Sequence, residues 1–212
     1  MRSPHCLMSL AACLLGMLAV ATTTGAAEPV QGTDYRLTTS LRSTSAPGKI
    51  DVVEFFSYAC PHCNSFEPAI EAWARTLPAD VAFRRVPAPF LMNAENFQRI
   101  YYALETMGQV DALQRKIFAA VHVDRLRLEK PEEIAALVGK YGVDGARFLS
   151  VFNSFSVATS VTRGKKLVAS YALDGVPALA VQGRYVTSPS QAGDGERALV
   201  VVDFLVQRAR KA

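Results

Sequence analysis

At 212 residues, half of them hydrophobic, the chain carries enough apolar material for one domain, or one domain with an insertion. Its 23 basic and 19 acidic side chains leave a formal charge of +4, with the charges interspersed. There is no basic run and no aromatic–basic stripe, so nucleic-acid binding is excluded as a reading.

The first residues form a separate unit. Met1-Arg2 is a short basic start, Cys6 to Ala21 is nearly all apolar, and Thr22 to Ala27 supplies small residues, with Gly25-x-Ala27 or Thr24-x-Ala26 as cleavage sites. This is the pattern of a cleavable secretory signal peptide over residues 1–27, with the mature chain starting near Glu28. A transmembrane helix is the rival, but the apolar run falls short of the ~20 residues a span requires. Leu10-Ala11-Ala12-Cys13 has the form of a lipoprotein box; too little apolar chain precedes it and too much follows, so it reads as a chance match. Removing the segment takes away Arg2 and no acid, lowering the charge from +4 to +3, and it removes Cys6 and Cys13. Only Cys60 and Cys63 remain, in an oxidising compartment. A disulfide closing so small a loop constrains the unfolded chain very little, so chemistry explains the pair better than stapling does.

Along the mature chain, Tyr35 to Thr39 alternates enough for a short strand, and Ser43 to Gly48 is turn chemistry. Ile50 to Phe56 reads as a buried strand. After Cys63 the register changes: Phe66, Ile70 and Trp73 recur at helical spacing, so a helix runs from Pro61 to about Arg75. Pro61 suits the first turn, and Pro68 falls inside the pattern, where it should kink the helix. Trp73 is expected in the core. Val81 to Val86 is a second strand, closed by Pro87 and Pro89. From Asn93 to about Ser154 the pattern is helical. Its apolar stripes are Phe97, Ile100, Tyr101 and Leu104; Val110, Leu113, Ile117 and Val121; Ile134, Leu137, Val138 and Tyr141; and Phe148, Val151, Phe152 and Phe155. All four are expected to be core. A further helix, Val157 to about Leu173, turns Lys165 and Lys166 to water. Asp174-Gly175-Val176-Pro177 leads into a strand from Ala178 to Val181, Gln182-Gly183-Arg184 is a hairpin turn, and Leu199, Val202, Val206 and Ala209 mark a terminal helix.

The Cys60-Pro61-His62-Cys63 stretch thus stands between a strand and a helix, with Cys60 at the helix start. Unpaired backbone N–H groups and the helix dipole favour an anion there, so Cys60 is the expected nucleophile and Cys63, one turn in, the resolving thiol. His62 sits beside the Cys60 sulfur or donates to it; the bland alternative is an exposed loop histidine. Glu54 is an acid in an apolar strand, where an unpaired carboxylate is costly. The plain alternative is a strand-end residue reaching solvent.

Glu-Phe-Phe-x-x-x-Cys-Pro-His-Cys, from Glu54 to Cys63, with Gly175-Val176-Pro177 heading a later strand, resembles the DsbA family of the thioredoxin superfamily over about Tyr35 to Arg210. The resemblance implies an α/β thioredoxin fold, a central mixed sheet flanked by helices, with an inserted helical subdomain. The divisions it implies are 28–92 for the first half of the thioredoxin fold, 93–155 for the insertion and 156–212 for the second half. It further implies that Glu54 is a semi-buried proton acceptor or relay below the cysteines, as thioredoxin carries an acid at that offset and a proline at that of Pro68. It places a cis peptide before Pro177, facing the cysteines and leaving the Val176 backbone to pair with an extended substrate. The implied function is a protein disulfide oxidant in the periplasm, donating the Cys60–Cys63 disulfide to reduced, unfolded exported proteins. A DsbB-type membrane quinone reductase would reoxidise it, with no metal or dissociable cofactor, and a monomer is expected. Isomerisation or reduction on the same fold is the near alternative. A zinc or metallochaperone module is the remote one, since only His62 and His122 accompany the two cysteines where about four ligands are wanted.

Overall fold

The structure is a computed structural model that describes residues 27–38 and 48–211. The expected signal segment, apart from its last residue, and most of the Ser43–Gly48 turn lie outside the described residues. The central element is β2 (Ile50–Phe56), every residue of which is buried. Its Val, Ile and Phe residues, interrupted only by Asp51 and Glu54, suit a strand covered on both faces. It pairs in parallel with β3 (Val81–Pro87), Glu54 standing opposite Arg85, and antiparallel with β4 (Ala178–Val181), Val53 standing opposite Ala180. β5 (Tyr185–Thr187) and then β1 (Arg36–Leu37) extend the sheet to the order β1-β5-β4-β2-β3. Gln182 and Gly183 both have positive φ and the Arg184 N–H reaches the Val181 carbonyl at 3.0 Å, the tight turn whose twist matches a β-hairpin. Among the described residues of the expected Tyr35–Thr39 strand, Arg36 and Leu37 pair with a β5 of three residues, and Tyr35 makes an isolated bridge to Gln31.

Alternation along the strands gives the sheet two faces. Val52, Leu179 and Val181 pack against Phe66 and Ile70 of α1 (Pro61–Ala74) and against Ala198, Val202 and Leu205 of α8 (Gly195–Arg210). Val53, Phe55, Val86 and Ala180 pack on the other face, with Val168 of α6 (Phe155–Ser170) and Tyr171. Four helices follow β3: α2 (Ala94–Thr106), α3 (Val110–His122), α4 (Pro131–Lys140) and α5 (Gly145–Phe152). They enclose a third cluster around Ile100, Leu113, Phe118, Val138 and Phe148, and the side chains of Cys60 and Cys63 belong to it. A short α7 (Pro189–Ala192), not expected from periodicity, precedes α8.

Two expectations need correction. Phe155 is 87% exposed rather than core. Helix α5 ends at Phe152, and Ser154 caps a new helix by accepting the Val157 N–H, so the spacing from Phe148 no longer measures one face. Trp73 is half-buried rather than fully buried: its ring stands edge-on to Phe83 while its indole N–H donates to Asp203 at 2.8 Å, keeping the polar edge near water. Pro68 lies inside α1 as expected.

Candidate active site

Chain direction places the cysteines. β2 ends at Phe56, and Ser57 turns the chain: its carbonyl accepts the Cys60 N–H at 3.0 Å and its hydroxyl accepts the Ala59 N–H at 3.2 Å. Cys60 is left extended as the N-cap of α1, with Pro61 in the first helical turn. A cap accepts an orphan N–H from the first turn, and here the acceptor is sulfur: Cys60 Sγ accepts the Cys63 N–H at 3.4 Å. The Cys60 thiol donates to the Val176 carbonyl at 3.3 Å, and the Val176–Pro177 peptide is cis. The structure thus brings Cys60, Cys63, Val176 and Pro177 together. His62 is exposed, with no ring hydrogen bond among the described residues, on a groove of about 480 Å³ shared with Val176, Pro177 and Gln191.

The two sulfurs have opposite acidities. Cys60 is drawn down to about 6, chiefly by the hydrogen bond from the Cys63 thiol. Burial opposes the shift; the N–H groups of Cys63 and His62 and the His62 charge add to it. His62 therefore acts through its backbone as well as its ring. Cys63 is 1% exposed, and burial pushes its thiol far above the ordinary range, helped by the hydrogen bond it gives Cys60. A thiolate at Cys60 and a thiol at Cys63 is the favoured reduced state.

Glu54 is not at a strand end facing water: it is 1% exposed. Its carboxylate accepts from Arg85 Nε at 2.8 Å, and Arg85 Nη2 reaches Glu67 Oε1, also at 2.8 Å. Glu67 in turn accepts from Gln114 Nε2 at 3.4 Å, and Gln114 Oε1 accepts from the Tyr58 hydroxyl at 2.6 Å. Two buried carboxyls thus share one guanidinium. Burial raises Glu54 despite Arg85, and burial plus the Glu54 charge lifts Glu67 to about 8. The coupled pair therefore retains protons at pH values where free carboxyls are ionised. Glu67 and Arg85 escaped the sequence reading, although two signals bear on them. Glu67 is four residues beyond Cys63 on the same helical face, and parallel pairing sets Arg85 beside Glu54.

His122 ends α3, where its Nε2 lies 2.8 Å from the Tyr58 carbonyl and its ring stacks on Phe118. Through that contact it touches the turn that carries Cys60.

Residues 70–198 match the DSBA-like thioredoxin domain. The thiol:disulfide interchange protein DsbA of Bordetella parapertussis is 46% identical over 169 residues, covering 79% of this chain and 80% of that protein. That of Pseudomonas aeruginosa PAO1 is 38% identical over 205 residues, covering 94% and 96%. Among solved structures, Pseudomonas aeruginosa DsbA superposes with a TM-score of 0.83 at 38% identity, covering 86% of this chain and 95% of that one. DsbA from Xylella fastidiosa superposes with a TM-score of 0.81 at 33% identity, covering 87% and 99%. The chain belongs to the DsbA-like thioredoxin family and is a thiol:disulfide oxidoreductase that exchanges with the cysteines of substrate proteins through a disulfide of its own.

Proposed function

We propose that the chain works as the oxidant in this exchange, in the periplasm after removal of residues 1–27, with Cys60 as the attacked sulfur. A substrate thiolate attacks Sγ of Cys60 in the Cys60–Cys63 disulfide, the S–S bond breaks, and Cys63 leaves with the electron pair. Burial opposes a charge on Cys63, so it takes up a proton, and the carboxyl pair of Glu54 and Glu67 lies on the same side of α1 to supply one. A second substrate thiolate then attacks the substrate sulfur of the mixed disulfide. Cys60 departs as a thiolate, the substrate leaves oxidised, and the chain has gained two electrons. The observation that carries this direction is the Cys60 acidity of about 6, because a stabilised thiolate favours the reduced product and leaves readily.

The substrate approaches as an extended chain beside Val176, whose carbonyl faces the reacting sulfur. Leu91 and Met92, 57% and 75% exposed, follow Phe90, which like Val176 and Leu173 packs against the cluster on the α6 face of the sheet; this apolar rim receives unfolded chains. A DsbB-type membrane quinone reductase returns the pair to the disulfide. The test is oxidation of a reduced two-cysteine peptide by stoichiometric oxidised protein, with the potential of the pair measured against glutathione. Rapid oxidation and a potential well above the roughly −270 mV of thioredoxin are expected. A value near thioredoxin's, with insulin reduction in place of peptide oxidation, would transfer the assignment to a reductase.

A further inference from the structure

A second concavity lies on the other side of the sheet from α1. Arg85 and Phe83 point towards α1; Arg84 and Val86, one position on, point towards α6. There they line a groove of about 700 Å³ with Tyr102 of α2 and Ser160, Arg163, Gly164, Lys166, Leu167 and Ser170. At its floor Gly164 lets the Tyr102 hydroxyl close on α6, since a Cβ there would lie 2.5 Å from that oxygen. Tyr102 is only 8% exposed, yet its hydroxyl has no hydrogen-bond partner among the described residues and faces this space.

The lining carries three cations and no acid. Arg84 is engaged by the buried Asp51, at 3.2 and 3.3 Å. Arg163 and Lys166 have no acidic partner among the described residues, whereas Lys165 beside them is paired with Glu95. Glu105, on the α2 rim, is tied to the Tyr101 hydroxyl at 3.2 Å. Arg163 and Lys166 also line a shallower cleft with Thr159, Thr162 and the outward Phe155, so the two hollows follow one another along α6 and share this pair of cations. From Phe155 to Ser170 that path is about 22 Å, at 1.5 Å per helical residue, or roughly seven residues of extended chain. A small anion would fill one end only.

We propose that this groove is a second docking surface, taking an acidic peptide segment with an apolar side chain among its carboxylates. The carboxylates meet Arg163 and Lys166, the apolar side chain lies on Val86, Leu167 and the Tyr102 ring, and the Tyr102 hydroxyl gains an acceptor. The surface is separate from the exchange chemistry and needs no cysteine in its ligand, so its success or failure is independent of the oxidant reading.

The probe is a fluorescein-labelled, cysteine-free 14-residue peptide of Glu and Asp with Leu and Phe interspersed, titrated with the full chain and read by anisotropy. Saturable binding is expected, weakening about fivefold or more between ~50 and ~300 mM salt as the charges are screened. R163E/K166E should weaken it about tenfold or more and turn the preference to the matching Lys-rich peptide. S160W, which fills the groove without changing its charge, should weaken it similarly and stands in if the double reversal does not fold. Oxidation of a short dithiol peptide should be unchanged in both. Absent binding, or binding that neither variant weakens, overturns the proposal. So does competition by glutarate or inorganic phosphate at peptide-like concentrations, which would mark an anion site only. Recruitment to phosphatidylglycerol vesicles through Arg163 and Lys166 without peptide binding would overturn it in favour of a lipid surface.

Discussion

Lowering the pH should erode the stability of the reduced protein more than that of the oxidised one. In the reduced fold Cys60 loses its proton near 6, whereas an unfolded thiol does so near 8.5. Between those values the unfolded chain binds a proton that the folded chain does not. Stability therefore rises with pH across the window, is complete above it, and is lost as pH falls through 6. A gap of about 2.5 units corresponds to about 3.4 kcal/mol at most, and water in the groove beside His62 reduces this to about 2 kcal/mol. Glu67, lifted to about 8, titrates in both redox forms and largely cancels in their difference. Cys63, held protonated by burial, adds an opposing slope only above about 8.5. Urea midpoints of both forms between pH 5.5 and 8.5 measure the effect, with absorbance at 240 nm following the thiolate directly. Cys60→Ser should abolish both signals. A reduced-minus-oxidised difference that stays flat across that range would refute the reasoning.

Two further substitutions test the frame around the sulfurs. Arg85→Met leaves Glu54 and Glu67 facing each other without a counter-charge and should cost about 3–5 kcal/mol at neutral pH. The folded carboxyls then sit above their unfolded pKa, so urea stability should recover towards pH 5; a loss independent of pH would contradict the shared-cation account. Gly195→Ala puts a Cβ 2.8 Å from Cδ2 of the buried Phe66 ring. The overpacking cost of about 1–3 kcal/mol outweighs the helix-propensity gain of about 1 kcal/mol, so the urea midpoint should fall, and a rise would show that Phe66 yields freely.

Legible in the sequence was whatever depends on short-range spacing. Cys60 to Cys63 at a helix start, the hairpin at Gln182-Gly183 and the stripe at Leu199, Val202 and Val206 each lie within one element or one turn. Phe155 misled because a stripe counts residues and cannot register that Ser154 begins a new helix. The partners of Glu54 were hidden for a different reason. Arg85 and Glu67 meet it only once β3 pairs in register and α1 settles on the sheet, distances in sequence that no periodicity spans. Tyr58 likewise shows its purpose only through Gln114 and His122, more than fifty residues later.

Those two contacts bear on when the protein becomes reactive. Tyr58 is held at its hydroxyl by Gln114 and at its carbonyl by His122, both on α3, and the turn it belongs to delivers Cys60 to the head of α1. The cluster that buries Cys63 is built largely from the same run of helices. A chain whose sheet and α1 have formed but whose α3 has not docked would already hold an acidic Cys60, because the groups that lower it all lie at the head of α1, beside a Cys63 still open to water. The inertness of the second sulfur arises at docking, so the full contrast between the two is a late acquisition in folding.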